Sequence, residues 1–199
     1  MAVNQFSFPQ VQHDLGLTFS QANLFPNVPV VDVRAEFRSL LSDGAKIALS
    51  VNTEKARSEF MIAPVLLELH RQMGGAISLF SGIELDGDAA KGLNGICDFI
   101  LTRTAMQFVL TAPLITIVEA KNDNVHNGLG QCIASMVAAE LFNRRAGTIL
   151  PAVFGAVSTG SAWMFLKLAG NNLTLDLNEY YIDNVGKILG ILKHILETV

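Results

Sequence analysis

Residues 114–121 read LITIVEAK, an apolar and largely β-branched run that ends in Glu-x-Lys. Such a run predicts a buried β-strand. Because side chains alternate along a strand, Glu119 and Lys121 share one face of the predicted sheet while Ala120 points to the other. An acid and a base at the end of a buried strand are costly unless they pair, bind a metal or take part in chemistry. This stretch therefore indicates both the type of fold and the place to look for function.

Apolar patterning on either side of this run predicts the remaining helices and strands. We expect strands at residues 77–85, 96–102, 106–110, 114–120, 152–157, 162–167 and 173–177. We expect helices at residues 33–49, with a break near 42–44, at 54–73, with a kink or break at Pro64, at 124–145 and at 182–196. This order of elements predicts an α/β fold in which helices flank a central mixed β-sheet.

The length of the chain suits one domain, residues 1–199, which can bury a sizeable core. Residues 1–35 hold three of the six prolines and show no sustained period. We therefore expect an extended N-terminal arm over residues 1–35, with a turn at 27–29, packed on the domain or on a partner. The core of the domain is expected over residues 53–199.

Charge and cysteine content narrow the class of protein. The chain has 14 Lys and Arg against 18 Asp and Glu, a net charge of −4, which argues against a protein that coats nucleic acid through general basicity but leaves room for a local basic cleft. The two cysteines lie in apolar runs and suggest no disulfide scaffold, which fits a reducing cytoplasm. Half of the residues are hydrophobic, which favours a homo-oligomer as a hypothesis.

Two segments were weighed for targeting or membrane insertion. The N-terminus has no basic region followed by a long apolar run, so we expect no signal peptide. Residues 146–166 carry no charge and are long enough to cross a bilayer. They are interrupted by Pro, Gly and a Ser-Thr-Gly-Ser turn, which predicts a β-hairpin in a protein without a membrane partner.

Polar side chains interrupt the apolar pattern at a few positions that could carry chemistry: Glu59, Asp98, Glu119, Lys121 and Gln131. Two carboxylates from neighbouring strands could share one Mg²⁺ or Mn²⁺ ion, which leaves coordination positions for water and a phosphate oxygen. A lysine on the same face could orient or deprotonate water, or neutralise charge in the transition state. This set favours phosphodiester hydrolysis over acyl transfer.

The spacing of these residues resembles a known signature. Asp98, followed after twenty intervening residues by Glu119-Ala120-Lys121, resembles the motif of the PD-(D/E)XK nuclease superfamily. The sequence GLNGICDF at residues 92–99 is similar to the glycine-rich approach to the aspartate strand in that superfamily, although Cys97 stands where the motif has proline. The resemblance covers residues 59–143.

The resemblance implies a restriction-endonuclease-like core and a role for each matching residue. Asp98 and Glu119 would be ligands of Mg²⁺ or Mn²⁺, and Lys121 would be the catalytic lysine. Glu59 would be an accessory acid near the metal, and Gln131 would support the lysine or the substrate phosphate. The implied substrate is nucleic acid, DNA first and RNA second.

Each of these residues also has a purely structural interpretation. Glu119 and Lys121 could form a solvated pair at a strand end, Asp98 could satisfy a buried backbone group, and Gln131 could be a surface amide. The acid facing the site from the first long helix could also be one of two others: Glu54 or Glu68. The alternative function is a non-catalytic interaction or assembly protein that keeps the nuclease-like fold, which the low basic content favours because phosphate contacts need Lys and Arg.

Overall fold

The computed structural model describes residues 2–199, which form a seven-stranded mixed sheet. The strands are β1 (Thr18–Ala22), β2 (Ser78–Asp88), β3 (Leu93–Thr102), β4 (Leu114–Ala120), β5 (Val153–Ser158), β6 (Ala162–Ala169) and β7 (Asn172–Tyr181). Their order across the sheet is β1-β7-β6-β5-β4-β3-β2. The pairs β1–β7 and β4–β5 are parallel, and the other neighbouring pairs are antiparallel.

Helices cover both faces of this sheet. They are α1 (Phe8–Asp14), α2 (Ala35–Val51), α3 (Glu54–Arg57), α4 (Ala63–Gln72), α5 (Leu129–Arg145) and α6 (Val185–Thr198), and a π-helical turn, Ser58–Ile62, joins α3 to α4. One core lies between the sheet and α5, with α1 beside it. A second core lies between the opposite face and α2, α4 and α6. The predicted α/β class with a mixed sheet flanked by helices is confirmed, and it is consistent with a restriction-endonuclease-like core.

Strand β4 has the predicted boundaries and lies inside the sheet, between β3 and β5. Every residue of β4 is buried. Along its second half the side chains alternate regularly, since Ile117 packs in the core under α5 while Val118 and Ala120 pack in the opposite core. Glu119 and Lys121 therefore belong to the face that α5 covers.

The uncharged segment at residues 146–166 contributes to a β-hairpin, as the Ser-Thr-Gly-Ser turn predicted. It contains β5 and the start of β6, which pair in antiparallel register. Among residues 2–199, no helix combines the length and the apolar character needed to cross a membrane.

The predicted strand at residues 106–110 is wrong. The register of β3 with β4 ends at the pair Thr102–Leu114, so the residues between them form a loop beyond the paired ends. Phe108 in that loop is 96% exposed. The apolar composition of this stretch therefore does not reflect burial.

The predicted break in the helix at residues 42–44 is also wrong, because α2 runs unbroken through Gly44. A Cβ atom at Gly44 would lie 2.3 Å from the carbonyl oxygen of Phe60, so glycine lets the two helical segments touch. That carbonyl lies four residues before Pro64, which has no N–H to donate to it. The irregularity predicted at Pro64 appears as the π-helical turn directly before it.

The N-terminal segment is more regular than the predicted extended arm. It contains α1 and β1, and β1 forms an edge of the sheet in parallel register with β7. The stretch that follows packs on α6, where Val31 N–H donates to the Gly186 carbonyl over 3.1 Å. Of the two alternatives, packing on the domain is the one that the structure adopts.

Glu68 on α4 forms a buried ionic cluster that ties the N-terminal segment to the core. Its carboxylate accepts from Arg71 at 2.7 and 2.9 Å, from Arg34 at 3.0 Å and from Gln72 at 3.0 Å. The hydrogen bond from Arg71, against an opposing effect of burial, and further hydrogen bonds from Gln72 and Arg34 lower the pKa of Glu68 to about 2. This cluster is structural, so Glu68 is not an acid of the Lys121 site.

We expect Glu68→Gln to lower the free energy of unfolding by about 3 kcal/mol at pH 7, because it leaves buried arginine partners without their carboxylate. Because the folded pKa lies below the unfolded value of 4.5, the contribution is complete above pH 4.5 and is lost as pH falls toward 2. Urea denaturation at pH 7 and pH 3 measures this, with the exposed Glu197→Gln as control. Equal stabilities of wild type and Glu68→Gln at pH 7 would contradict it.

Candidate functional site

The end of β4 brings an acid and a base together under the N-terminal end of α5. Lys121 Nζ lies 2.7 Å from Glu119 Oε1, and the Glu119 residue is 1% exposed. The backbone N–H of Lys121 donates to the Ser158 carbonyl over 2.8 Å, which extends the β4–β5 pairing by one residue. The lysine is therefore fixed by the sheet itself.

Asp98 on β3 lies across from Glu119. The register pairs Phe99 with Val118, so the next position along the two strands places Asp98 opposite Glu119. Asp98 Oδ2 accepts a hydrogen bond from the Ala120 N–H at 2.8 Å, which fixes its carboxylate at the end of β4. The two predicted metal ligands are therefore brought together by adjacent strands.

The path of β3 is irregular at this aspartate. Cys97 packs in the core under α5, whereas Phe99 packs in the opposite core, so strict alternation fails between them. In the β2–β3 register the residue opposite Asp98 is Gly82, which has a φ of +63°. That conformation favours glycine, and it lets β2 follow the local distortion.

Glu119 carries an uncompensated buried oxygen. Its Oε2 atom is buried and has no hydrogen-bond partner within the described residues. Burial, and then the negative charge of Asp98, raise the pKa of Glu119 to about 8, while Lys121 opposes the shift. A buried carboxylate oxygen without a donor, next to a second carboxylate, is an arrangement that a bound cation would stabilise.

Lys121 is surrounded by acceptors. Burial alone would lower its pKa, but the charges of Glu119, Glu54 and Asp98 outweigh burial, so the net shift is upward. Its Nζ atom lies 3.4 Å from Gln131 Oε1 on α5 and 3.6 Å from Glu54 Oε2 on α3. The lysine is therefore held as a cation at neutral pH.

Gly128, just before α5, makes room for this side chain. A Cβ atom at Gly128 would lie 2.6 Å from Val157 and 3.0 Å from Cγ of Lys121. The absence of a side chain at this position lets the lysine stem run between the turn and β5. The sequence shows a glycine here, but nothing in it indicates which side chain needs the space.

The acid contributed by the first long helix is Glu54, so the prediction of Glu59 is corrected. Glu59 is exposed and its Oε1 atom lies 2.9 Å from Lys55 Nζ, whereas Glu54 reaches Lys121. Five residues along a helix correspond to a rotation of about 140°, so the two acids face different directions. Thr53 caps α3 by accepting from the Ala56 N–H at 3.1 Å, which fixes where this helix begins.

The sequence did not single out Arg57, which holds α3 against the sheet. Its guanidinium donates to Asn122 Oδ1 at 3.2 Å, to the Thr159 carbonyl at 2.9 Å and to Asn52 Oδ1 at 3.2 Å. These contacts join α3 to the residues that follow β4 and β5. Arg57 therefore positions Glu54 relative to Lys121 without reaching the carboxylates itself.

The donor set limits how a cation could be held. In the part of the chain that the structure describes, no group of three or more His, Cys, Asp or Glu side chains is arranged to hold a metal ion. Mg²⁺ commonly takes one or two protein carboxylates and fills its other positions with water and substrate oxygens. Asp98 and the unpartnered Oε2 of Glu119 fit that mode of binding.

Comparisons with known proteins give one similarity and no family. No protein-family model matches the chain. No curated protein matches it either. Among solved structures, the chain is similar to part of the cryo-EM structure of a DrdV–DNA complex, with a TM-score of 0.47 and 11% identity. The match covers 82% of this chain and 14% of that one.

Proposed function

We propose that this protein is a metal-dependent nuclease that hydrolyses phosphodiester bonds in DNA. The observation that carries the proposal is the buried, unpartnered Oε2 of Glu119, with Asp98 on one side and Lys121 on the other. A structural ion pair would leave no such oxygen, because burying a charged acceptor without a partner is unfavourable.

The proposed roles follow from the positions of the side chains. Asp98 and Glu119 would hold Mg²⁺ or Mn²⁺, which when bound stabilises charge on the phosphate and makes water more acidic. Lys121 would donate a hydrogen bond to a non-bridging phosphate oxygen or to the attacking water. Its raised pKa favours a charged donor over a general base.

Two amide and acid neighbours would support the lysine. Gln131 Oε1 and Glu54 Oε2 lie within 3.4 and 3.6 Å of Lys121 Nζ, which limits where the ammonium group can point. A fixed donor costs less reorganisation when charge develops on the phosphate. We therefore assign Gln131 and Glu54 as positioning residues in the proposed reaction.

We expect wild-type protein with Mg²⁺ or Mn²⁺ to cleave DNA, and Asp98→Ala to lower the rate at least about 100-fold, since it removes one of two proposed ligands. Gel assays on single- and double-stranded DNA and on RNA measure this. Asp43→Asn, an exposed acid on α2, is the matched control. Cleavage that survives Asp98→Ala would reject the site, and no cleavage by wild type would favour the assembly-protein alternative.

A further inference from the structure

Four neighbouring strands reach the same edge of the sheet beside Lys121. β4 ends next to β5 there, as the contact between the Lys121 N–H and the Ser158 carbonyl shows. β6 begins at Ala162, which pairs with Tyr181 at the end of β7. The edge therefore runs from Lys121 across the β5–β6 turn to the end of β7.

An open hollow of about 330 Å³ lies along this edge. Its lining comes from the segment after Lys121, from the β5–β6 hairpin and from β7: Asp123, Asn124, Val125, His126, Thr159, Ala162 and Glu179. Its volume lies at the lower end of the range typical of small-molecule sites, about 300–1,000 Å³. A single nucleobase would fit into it.

We propose that this hollow binds an unpaired base of the DNA strand beside the scissile phosphate, with a preference for guanine. The inference rests on the proposed nuclease function, because it takes the phosphate position from Lys121. It names the feature of the substrate that the site reads.

Charge is the first argument for a base in this hollow. Carboxylates accept hydrogen bonds and cannot donate them when ionised. The lining carries two of them, Asp123 and Glu179, and among residues 2–199 no lysine or arginine lines it. A phosphate would be repelled there, whereas a base edge that carries N–H groups would be attracted.

The state of the two carboxylates distinguishes their roles. Glu179 Oε2 accepts from the Tyr181 hydroxyl at 3.1 Å, and Oε1 lies 3.8 Å from His126 Nε2. Asp123 is exposed, and its carboxylate makes no hydrogen bond or ion pair within the described part of the chain. Asp123 is therefore the acceptor available to a ligand, and Glu179 orients the neighbouring rings.

Guanine fits this acceptor best among the four bases. Its Watson–Crick edge presents N1–H and the N2 amino group side by side, which matches the two oxygens of one carboxylate. Thymine presents one N–H between two carbonyl oxygens, which a carboxylate repels. In a duplex this guanine edge is occupied by cytosine, so the base must be unpaired to bind.

Aromatic rings at the hollow supply a stacking surface. The His126 side chain is 58% exposed, and Tyr181 is 55% exposed. Both are held by Glu179, which limits their motion before a ligand arrives. Stacking on such rings is worth about 1–3 kcal/mol per base and does not depend on which base is bound.

The test measures binding with cleavage disabled. Fluorescence anisotropy would follow Lys121→Met binding to a 20-nucleotide oligo(dT) and to versions with one central dG, dC or dA. We expect the dG version to bind about tenfold more tightly than oligo(dT), as for one bidentate base contact. Adding Asp123→Asn should abolish the difference, whereas the control Asp43→Asn should keep it.

His126→Ala provides a second readout. It should weaken binding of every oligonucleotide about fivefold or more, because stacking is lost, while the ratio between dG and dT stays the same. Equal binding of all four oligonucleotides, or a dG preference that survives Asp123→Asn, would overturn the proposal. Cleavage by wild type without a base preference would reject the hollow alone, whereas dG binding without cleavage by wild type would reject the nuclease function and leave the hollow as a base-binding site.

Discussion

Lys121→Met is expected to lower cation-dependent DNA cleavage about 1,000-fold, since it removes a fixed charged donor from the proposed site. Methionine has nearly the length of lysine and no charge, so it can occupy the channel beside Gly128 without a clash. The effect should therefore fall on the cleavage rate and not on folding. Single-turnover rates with saturating Mg²⁺, together with thermal unfolding, measure both.

Lys46→Met is the matched control, because Lys46 is exposed on α2 and pairs with Asp43. It should cleave DNA at the wild-type rate. A Lys121→Met variant that retains more than about a tenth of the wild-type rate would show that Lys121 is not the donor assumed here.

Glu119→Gln is expected to remove tight binding of Mn²⁺, because the amide replaces the unpartnered carboxylate oxygen. The pKa of Glu119 is raised to about 8, so the side chain holds a proton at pH 7 and must release it when a cation binds. Binding by wild type should therefore strengthen as pH rises from 6 and level off above about 8. Isothermal titration calorimetry in two buffers measures affinity and proton release together.

Glu59→Gln and Glu54→Gln make this experiment discriminating. Glu59 pairs with Lys55 on the surface, so its substitution should leave Mn²⁺ binding and cleavage close to wild type. Glu54 reaches Lys121, so its substitution should slow cleavage. A loss of cation binding in Glu59→Gln would restore the original assignment of the helix acid.

Local sequence patterns predicted the elements whose burial is continuous. β4 was predicted with its observed boundaries because a β-branched run stands between Pro113 and the polar residues after Lys121. The segment at residues 106–110 has a similar composition, but no neighbouring strand is available to it. Composition alone does not distinguish a short apolar run that pairs from one that forms an exposed loop.

For the candidate site, the sequence predicted the residues on the strands better than those on the helices. Strand alternation and order placed Asp98, Glu119 and Lys121 together, as the structure does. The choice between Glu54 and Glu59 depends on where α3 begins and how the π-helical turn rotates the chain, which the sequence leaves open. Arg57 was missed because its partners follow β4 and β5, far away in the chain.

The pairing of β1 with β7 has a consequence for synthesis of the protein. It joins residues 18–22 to residues 172–176, so the first strand to leave the ribosome can pair only when the chain is almost complete. Contacts between such distant segments slow folding, because a long loop must close before the pairing is gained. Until then β1 has no neighbour in the sheet and the nascent chain presents a free strand edge. Chaperone dependence and aggregation during expression should therefore respond to substitutions in β1 more than its few residues would suggest.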